Sequence, residues 1–497
     1  MLTAAIFVPL AASIVLAFAK LDTDRPRTLL LLRSGATVAA AVPLLLLAIA
    51  WSRFEGTGGF ELVEQVPWIP TLGIGYTVGV DGVSLPLASM SALLFTVAIV
   101  YPVDLRGRAR AYFALFLFLE AASLGVFLAL DLFLFFVFWD LSLVGMYFLI
   151  GVWGHGDAQR SALKFFIYTL TGSLALLLGI IGLFLATEPR TFDMATIIEQ
   201  QPLAGGGLYA TLVFVGLAIG FAVKTPLVPV HTWLPPAHVD APGPASAVLA
   251  GVLLKMGTYG FVRIPMAMLP DTFARFAFPL GVLAVIAILY GALVALAQTD
   301  VKRLIAYTSI NHMGYVILGL AAAGAAVGGQ EAAQAVALTG ATVEMVAHGF
   351  ITGALFLISG SILTRGQTYE LDAYGGLASR APVLTVFTAI AAFASLGLPG
   401  LAGFVAEFQI FTGTLAVFPW LAGLGLIGIV LTAALFLRML QKLFLGPLPE
   451  RWESWHDLGP VEIGALAVLL TLTIIIGVAP AWLLDVIDST VGPFVGR

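Results

Sequence analysis

Apolar runs of about twenty residues recur along the whole chain, and each closes on a short polar or basic segment. A run of that length is what an α-helix needs to cross a hydrocarbon core. About fourteen such runs can be marked, near 2–20, 28–51, 82–104, 111–130, 132–153, 161–186, 208–229, 243–268, 273–297, 303–325, 338–364, 382–417, 420–444 and 461–485. The pattern predicts an all-α polytopic membrane protein. Two runs are interrupted. Pro226 and Pro229 fall inside 208–229, and Leu398–Pro399–Gly400 divides 382–417, which is too long for one simple span. Proline removes a backbone donor and frees a carbonyl. Within a membrane such breaks persist only where protein or water satisfies the backbone, so two broken helices point to a site.

The breaks at Pro226 and Pro399 are 173 residues apart, and the same offset carries Asp140 to the neighbour of His312. Thr171–Gly172–Ser173 and Thr352–Gly353–Ala354 open similar apolar runs at a slightly different offset. These correspondences predict an internal repeat. Helices 1–3 would occupy 1–107, a first five-helix repeat 108–268, a second 269–445, and a C-terminal helix 446–497.

Composition agrees with a membrane solvent: 60% of residues are hydrophobic and 10% charged, against about 25% charged in soluble domains. The net charge of −5 is small and dispersed, which gives nucleic-acid binding no support. The absence of cysteine excludes thiolate-held iron–sulfur clusters, thiol catalysis and disulfides within this chain. The opening MLTAAIFVPLAASIVLAFAK has the apolar core of a signal peptide. It lacks a basic segment ahead of that core, and Lys20 follows it, so it reads as the first span. With the N-terminus outside, sixteen of the 23 basic residues fall in inward loops. Only Arg53, Arg190, Arg263, Arg275 and Arg497 fall outside, leaving Lys224 and Lys255 in the membrane. This is the bias the positive-inside rule expects, and an even helix count then puts both termini outside.

Those two lysines change the picture, together with Asp140 and Glu407. Each lies within a strongly apolar stretch. A charge at the bilayer centre costs about 2.5–3.5 kcal/mol on insertion scales, so the four must face inward and find partners. Burial and a nearby carboxylate act in opposite directions on a lysine, and a lysine held between them can lose and regain a proton. Lys224 precedes the first break, and Asp140, with few polar neighbours, needs a cation for which Lys224 is the candidate. Lys255 lies a dozen residues into its helix. Protonated lysine has donors only and cannot ligate Na⁺, which favours H⁺ as the cargo. Glu407 follows the second break and resembles a terminal exchange carboxylate. His312 and His348, on two further runs, titrate near neutrality as a class. Glu344 lies four residues before His348 on the same helix face and is expected to pair with it. Glu120 is a second-rank candidate, with Asp131 read as a solvated boundary residue. His231, His238 and Asp240 share the loop HTWLPPAHVDAPGP, but their spacing is no zinc pattern, and an ordered packing loop is the reading. Gly216 and Gly220 form a GxxxG stripe for close helix packing.

The stretches FAVKTPLVPVHTWLPPAHVDAPGPASAVLAGVLLKMGTYGFVR (222–263), DVKRLIAYTSINHMGYVILG (300–319), HGFITGALFLISGSI (348–362) and FASLGLPGLAGFVAEF (393–408) resemble the antiporter-like membrane subunits of respiratory complex I. The M-type branch fits best. A glutamate, Glu407, stands where sister subunits usually carry lysine, and the chain ends soon after the last span, without a long lateral helix. The resemblance implies fourteen helices with two inverted five-helix repeats around a hydrated axis in the membrane plane. Asp140 and Lys224 would form the input ion pair, Lys255 the central relay, and His312 and His348 the bridge to Glu407. One residue departs from the pattern: the family usually has glutamate where this chain has Asp140, so the contact with Lys224 would be longer or water-bridged. Glu344 is also unusual at its position and offers a compensating carboxylate.

The implied function is proton translocation coupled to quinone reduction elsewhere in the complex. No cofactor or metal is expected on this chain. NAD, FMN, iron–sulfur clusters and quinone are expected on partner subunits, and sister antiporter-like subunits and the lipid bilayer as neighbours, in a bacterial plasma membrane. Subunits of multisubunit cation/proton antiporters or membrane-bound hydrogenases share the same features. A stand-alone solute carrier would instead need a wider polar cavity, and a passive spacer would tolerate loss of the buried charges.

Overall fold

The computed structural model describes residues 1–19 and 25–495. Lys20 and Arg497, two cations used in the charge count, lie outside these. The apolar runs form a bundle of antiparallel helices. The helices are α1 (Leu2–Phe18), α2 (Pro26–Arg53), α3 (Ser84–Val100), α4 (Ala109–Leu128), α5 (Leu132–Trp153), α6 (Ala158–Ala186), the short α7 (Met194–Gln200), α8 (Leu208–Lys224), the short α9 (Leu234–Asp240), α10 (Gly243–Met266), α11 (Pro270–Leu296), α12 (Val301–Ala323), α13 (Glu331–Gly366), α14 (Pro382–Ser395), α15 (Ala402–Val417), α16 (Pro419–Phe444), α17 (Pro460–Val478) and α18 (Ala481–Val495). Ten of them are long and apolar enough to cross a membrane by length and composition.

Sequence chemistry starts and stops these helices. Proline opens α2, α11, α14, α16 and α17 at a position where its missing N–H costs nothing. Asp300 caps α12 by accepting from the Arg303 N–H at 2.7 Å. Asp131, expected to be solvated, is buried and caps α5: Oδ1 accepts from the Phe133 and Leu134 N–H groups, and Oδ2 from Gly75 N–H. Gly75 belongs to a hairpin that no apolar run announces, β1 (Glu61–Ile69) paired antiparallel with β2 (Ile74–Val80). The run 461–485 is also not one helix. Ala479 and Pro480 end α17 and let α18 turn back along the hairpin end of the bundle, where Trp482 meets Trp51 at 5.6 Å between centroids.

At the opposite end, basic side chains close helix C-termini whose last carbonyls lack partners. Arg110 donates to the Ala19 carbonyl, Arg438 to Leu296 and Arg106 to Val152. Arg365 holds Glu462 through two bonds, tying α13 to α17.

The core is layered. α10 is buried along its whole length, with α4, α12 and α13 nearly so, whereas α2, α16 and α17 present broad apolar faces outward. Gly216 and Gly220 bring α8 onto α6 so closely that a β-carbon at Gly220 would stand 2.6 Å from Leu176 Cβ. Both interrupted runs are broken in space. α8 stops at Lys224 and the chain turns through 225–233 into α9. α14 stops at Ser395 and α15 resumes at Ala402.

Candidate functional site

The first break leaves carbonyls that an unbroken helix would have used. Phe221 O keeps the last regular helical bond, from Thr225 N–H at 2.9 Å, and also accepts the Thr225 hydroxyl at 2.7 Å. Ala222 O accepts Leu227 N–H at 2.8 Å, and Val223 O accepts the Trp233 indole at 2.9 Å. Lys224 is therefore the last helical residue, buried, with its ammonium aimed across at α5. Nζ donates to Ser142 Oγ at 2.7 Å and to the Trp139 carbonyl at 3.3 Å, and lies 4.0 Å from the Trp139 ring centroid.

The expected direct pair with Asp140 is not formed. Trp139 and Ser142 share the face of α5 turned to Lys224. Asp140 is rotated about 100° from Trp139, one residue on a 3.6-residue turn. Its short side chain stays on the half-buried outward flank beside Ser173, with Oδ1 lacking any hydrogen-bond partner. The two charges remain within electrostatic reach.

Lys255 is positioned by an irregular helix. Residues Leu249–Leu253 of α10 form a π turn, a widening that α-helices use at functional positions. Nζ donates back to the Ala250 carbonyl at 2.6 Å and meets His348 Nδ1 at 2.5 Å. An ammonium can only donate, so His348 Nδ1 accepts and the imidazole proton is assigned to Nε2. The rings of His348 and His312 lie 5.4 Å apart. His312 in turn meets Ser395 Oγ through Nε2 at 2.9 Å, Glu344 Oε1 through Nδ1 at 3.2 Å, and Glu407 Oε1 at 3.9 Å. Glu344 thus pairs with His312 on α12 and not with His348, whose Nδ1 is taken by Lys255.

Glu407 reaches this cluster because the second break lets it fold back. Gly397 adopts φ +75°, and a β-carbon there would lie 2.3 Å from Glu407 Oε2. Lys255, His348, His312, Glu344 and Glu407 consequently form one contiguous buried string drawn from α10, α13, α12 and α15. Lys224 and Lys255 make no bond to each other.

Glu120 is not joined to the string. It is fully buried in α4, and neither carboxylate oxygen has a partner. His238 belongs to the loop whose sequence predicts ordered packing. It does pack, stacked on Phe356 at 4.4 Å with 10° between planes, but both its ring nitrogens are buried without partners. It lies within electrostatic reach of Lys255, Lys302 and His348. The polar loop marked the region, but only the packing of α9 decides which histidine turns inward. His231 instead lies 5.0 Å from Tyr290, and Asp240 accepts from Ser161 Oγ. Among the described residues no three His, Cys, Asp or Glu side chains gather to hold a metal. Unpartnered buried atoms also include His348 Nε2 and Glu344 Oε2. Each costs about 1–3 kcal/mol unless solvated, and polar atoms of this kind are where internal water binds.

Residues 129–432 match the family model described as NADH:quinone oxidoreductase/Mrp antiporter, TM. The chain is 38% identical to NADH-quinone oxidoreductase subunit M of Rhodobacter capsulatus, over 98% of this chain and 95% of that one. It is equally 38% identical to F(420)H(2) dehydrogenase subunit M of Methanosarcina mazei, over 88% and 87%. A chain of respiratory complex I from Thermus thermophilus with bound NADH superposes over the whole of both chains, with a TM-score of 0.87 at 29% identity. A chain of the Mrp complex from a Dietzia species shares the fold, with a TM-score of 0.85 at 22% identity over 99% and 96%. By the family match over more than half its length and by relatives that it parallels nearly end to end, the chain belongs to the NADH:quinone oxidoreductase/Mrp antiporter transmembrane family.

Proposed function

We propose that the chain is the M-type proton-translocating subunit of an NADH-quinone oxidoreductase of the complex I kind. The single observation that carries this reading is the buried string Lys255–His348–His312–Glu344/Glu407. Stability alone is a poor reason to keep ionisable groups at such depth. NADH oxidation and quinone reduction belong to partner subunits, which would carry NAD, FMN, iron–sulfur clusters and quinone. Energy reaches this chain electrostatically or mechanically at Asp140 and Lys224. A disturbance there shifts Lys224 off Ser142 and Trp139, its proton passes over water toward Lys255, and the histidines hand it to Glu407. His238, placed between Lys302 and the Lys255–His348 pair, is the group best situated to reload the string from the basic end of the bundle. The basic loops put that end on the cytoplasmic side of a bacterial plasma membrane and both termini on the outer side. Residues 108–268 and 269–445 act as two inverted units, each with one broken helix.

The test is the proton-to-electron ratio of the assembled complex in proteoliposomes. Lys224→Ala and Glu407→Ala are expected to lower it sharply while assembly persists. A native ratio in a well-assembled Lys224→Ala complex sinks the reading. The similarity to F(420)H(2) dehydrogenase and Mrp subunits supports a second reading, the same proton path in a different assembly. Partner chains retained in a mild-detergent preparation decide between the two.

A further inference from the structure

A cavity of about 700 Å³ lies away from the string, at the hairpin end. Exposed Gly59, Ala195 and Glu199 line its mouth, and Phe60 and Thr490 its wall. Its floor is an ion pair with almost no exposure: Arg263 Nη2 lies 2.6 Å from Asp81 Oδ2.

The polar groups of that floor bond one another and the nearby backbone. Asp81 Oδ1 accepts the Val83 and Ser84 N–H groups at the start of α3, leaving Oδ2 for the guanidinium. Arg263 Nε donates to Tyr259 OH at 3.0 Å, and that hydroxyl donates to the Phe127 carbonyl at 3.1 Å. The Phe60 ring covers the guanidinium at 4.8 Å. Arg263, Tyr259 and Lys255 lie on one helix, four residues apart. Lys255 is therefore only about 12 Å from the cavity floor at 1.5 Å per residue. The contrast with the other direction from Lys255 is chemical. Toward the basic end His238 and His348 hold buried, unpartnered ring nitrogens, whereas toward the cavity Tyr259, Arg263 and Asp81 are bonded in sequence and a permanent cation stands in the way. A guanidinium does not release its proton at any accessible pH, and a fixed positive charge repels protons and other cations from a narrow passage.

We propose that Arg263, held by Asp81, is the electrostatic barrier that keeps protons on Lys255 from exchanging with the hairpin face of the bundle. Discharge is thereby confined to the Glu407 side. The proposal rests on the proton-carrying role assigned above to Lys255.

Its test uses the whole complex in sealed proteoliposomes, with passive proton flux under an imposed pH gradient read beside the proton-to-electron ratio. The double variant Arg263→Met with Asp81→Asn removes both charges without stranding either. It is expected to leak severalfold faster than the native complex and to lose net pumping while electron transfer continues. Arg263→Lys keeps a cation and is expected to stay tight. Asp81→Asn alone is also expected to stay tight, because the guanidinium remains and asparagine still accepts the α3 cap. A double variant as tight as the native complex overturns the barrier. Equal leakage in Asp81→Asn and in the double variant overturns it too, by making the pair a steric plug. Loss of pumping without leakage in Asp81→Asn makes this face an exit. These outcomes stand apart from failure of the pathway itself, which would show as a native proton-to-electron ratio in Lys255→Ala.

Discussion

At Gly397 the backbone takes φ +75° and the Glu407 carboxylate occupies the space a side chain would need. Left-handed backbone costs an L-residue about 1–2 kcal/mol, and here the added methyl would also push Glu407 off His312. Gly400, at φ +91°, has nothing within 4 Å of its would-be β-carbon. Gly397→Ala is expected to lose most of the proton-to-electron ratio in assembled complex and Gly400→Ala to keep it. An equal loss in both would make backbone strain the cause. Asp140 offers a second residue-scale test. Asp140→Glu extends the carboxylate by one methylene toward Lys224 and is expected to match or exceed the native ratio, with Asp140→Asn losing most of it. The charged residues themselves were legible because an ionisable group in an apolar run has no one-dimensional excuse. Their partners were not. Glu344 and His348 share a helix face at the right spacing, yet Lys255 from another helix claims the imidazole and Glu344 turns to His312. Such competition is settled in three dimensions.

Among the elements, the broken helices were legible because proline cannot donate, and Pro226 and Pro399 each stand just past a helical end. The π turn before Lys255 has no such marker, since it arises from packing within a fully enclosed helix. The hairpin was hidden because its alternation is short and lies between strongly apolar spans. The junction of α8 with α10 carries a prediction of its own. A β-carbon at Gly257 would stand 2.6 Å from Thr225 Oγ1, 2.7 Å from Thr225 N and 2.9 Å from Phe221 O, all at the turn that ends on Lys224. Two of these are backbone atoms and cannot yield cheaply. Gly257→Ala is expected to cost about 1–3 kcal/mol as overpacking and to displace Lys224. Pumping should fall, whereas Gly423→Ala, with open space around it, should change neither pumping nor assembly yield. Comparable losses in both would remove close packing as the explanation.

For the molecule as a whole, apolar length was enough to read the helical membrane architecture. What holds the basic end together was less apparent from the loops. Arg365 bonds Glu462 twice and the Ser361, His456 and Asp457 carbonyls besides, with both bonds to Glu462 partly buried, while the Lys442–Asp372 pair is exposed. Removing one partner of a fully buried pair costs about 3–5 kcal/mol. Arg365→Ala is expected to approach the lower end of that range, because its guanidinium keeps some solvent. It should lower the thermal midpoint of the complex by several degrees, and Lys442→Ala should leave it nearly unchanged. Identical midpoints for the two variants would show that the α13–α17 tie is dispensable.

The outward flank of α5 bears on what one copy of this chain is able to do alone. Asp140 is partly exposed at the rim of its own bundle, although its Oδ1 is enclosed there without a hydrogen-bond partner. On the input role proposed for it, part of the insulation around that terminal has to come from outside this chain. Whatever helix comes to rest against that flank chooses the medium the terminal meets. On that proposal the neighbour in the assembly is a component of the circuit and not merely its mounting.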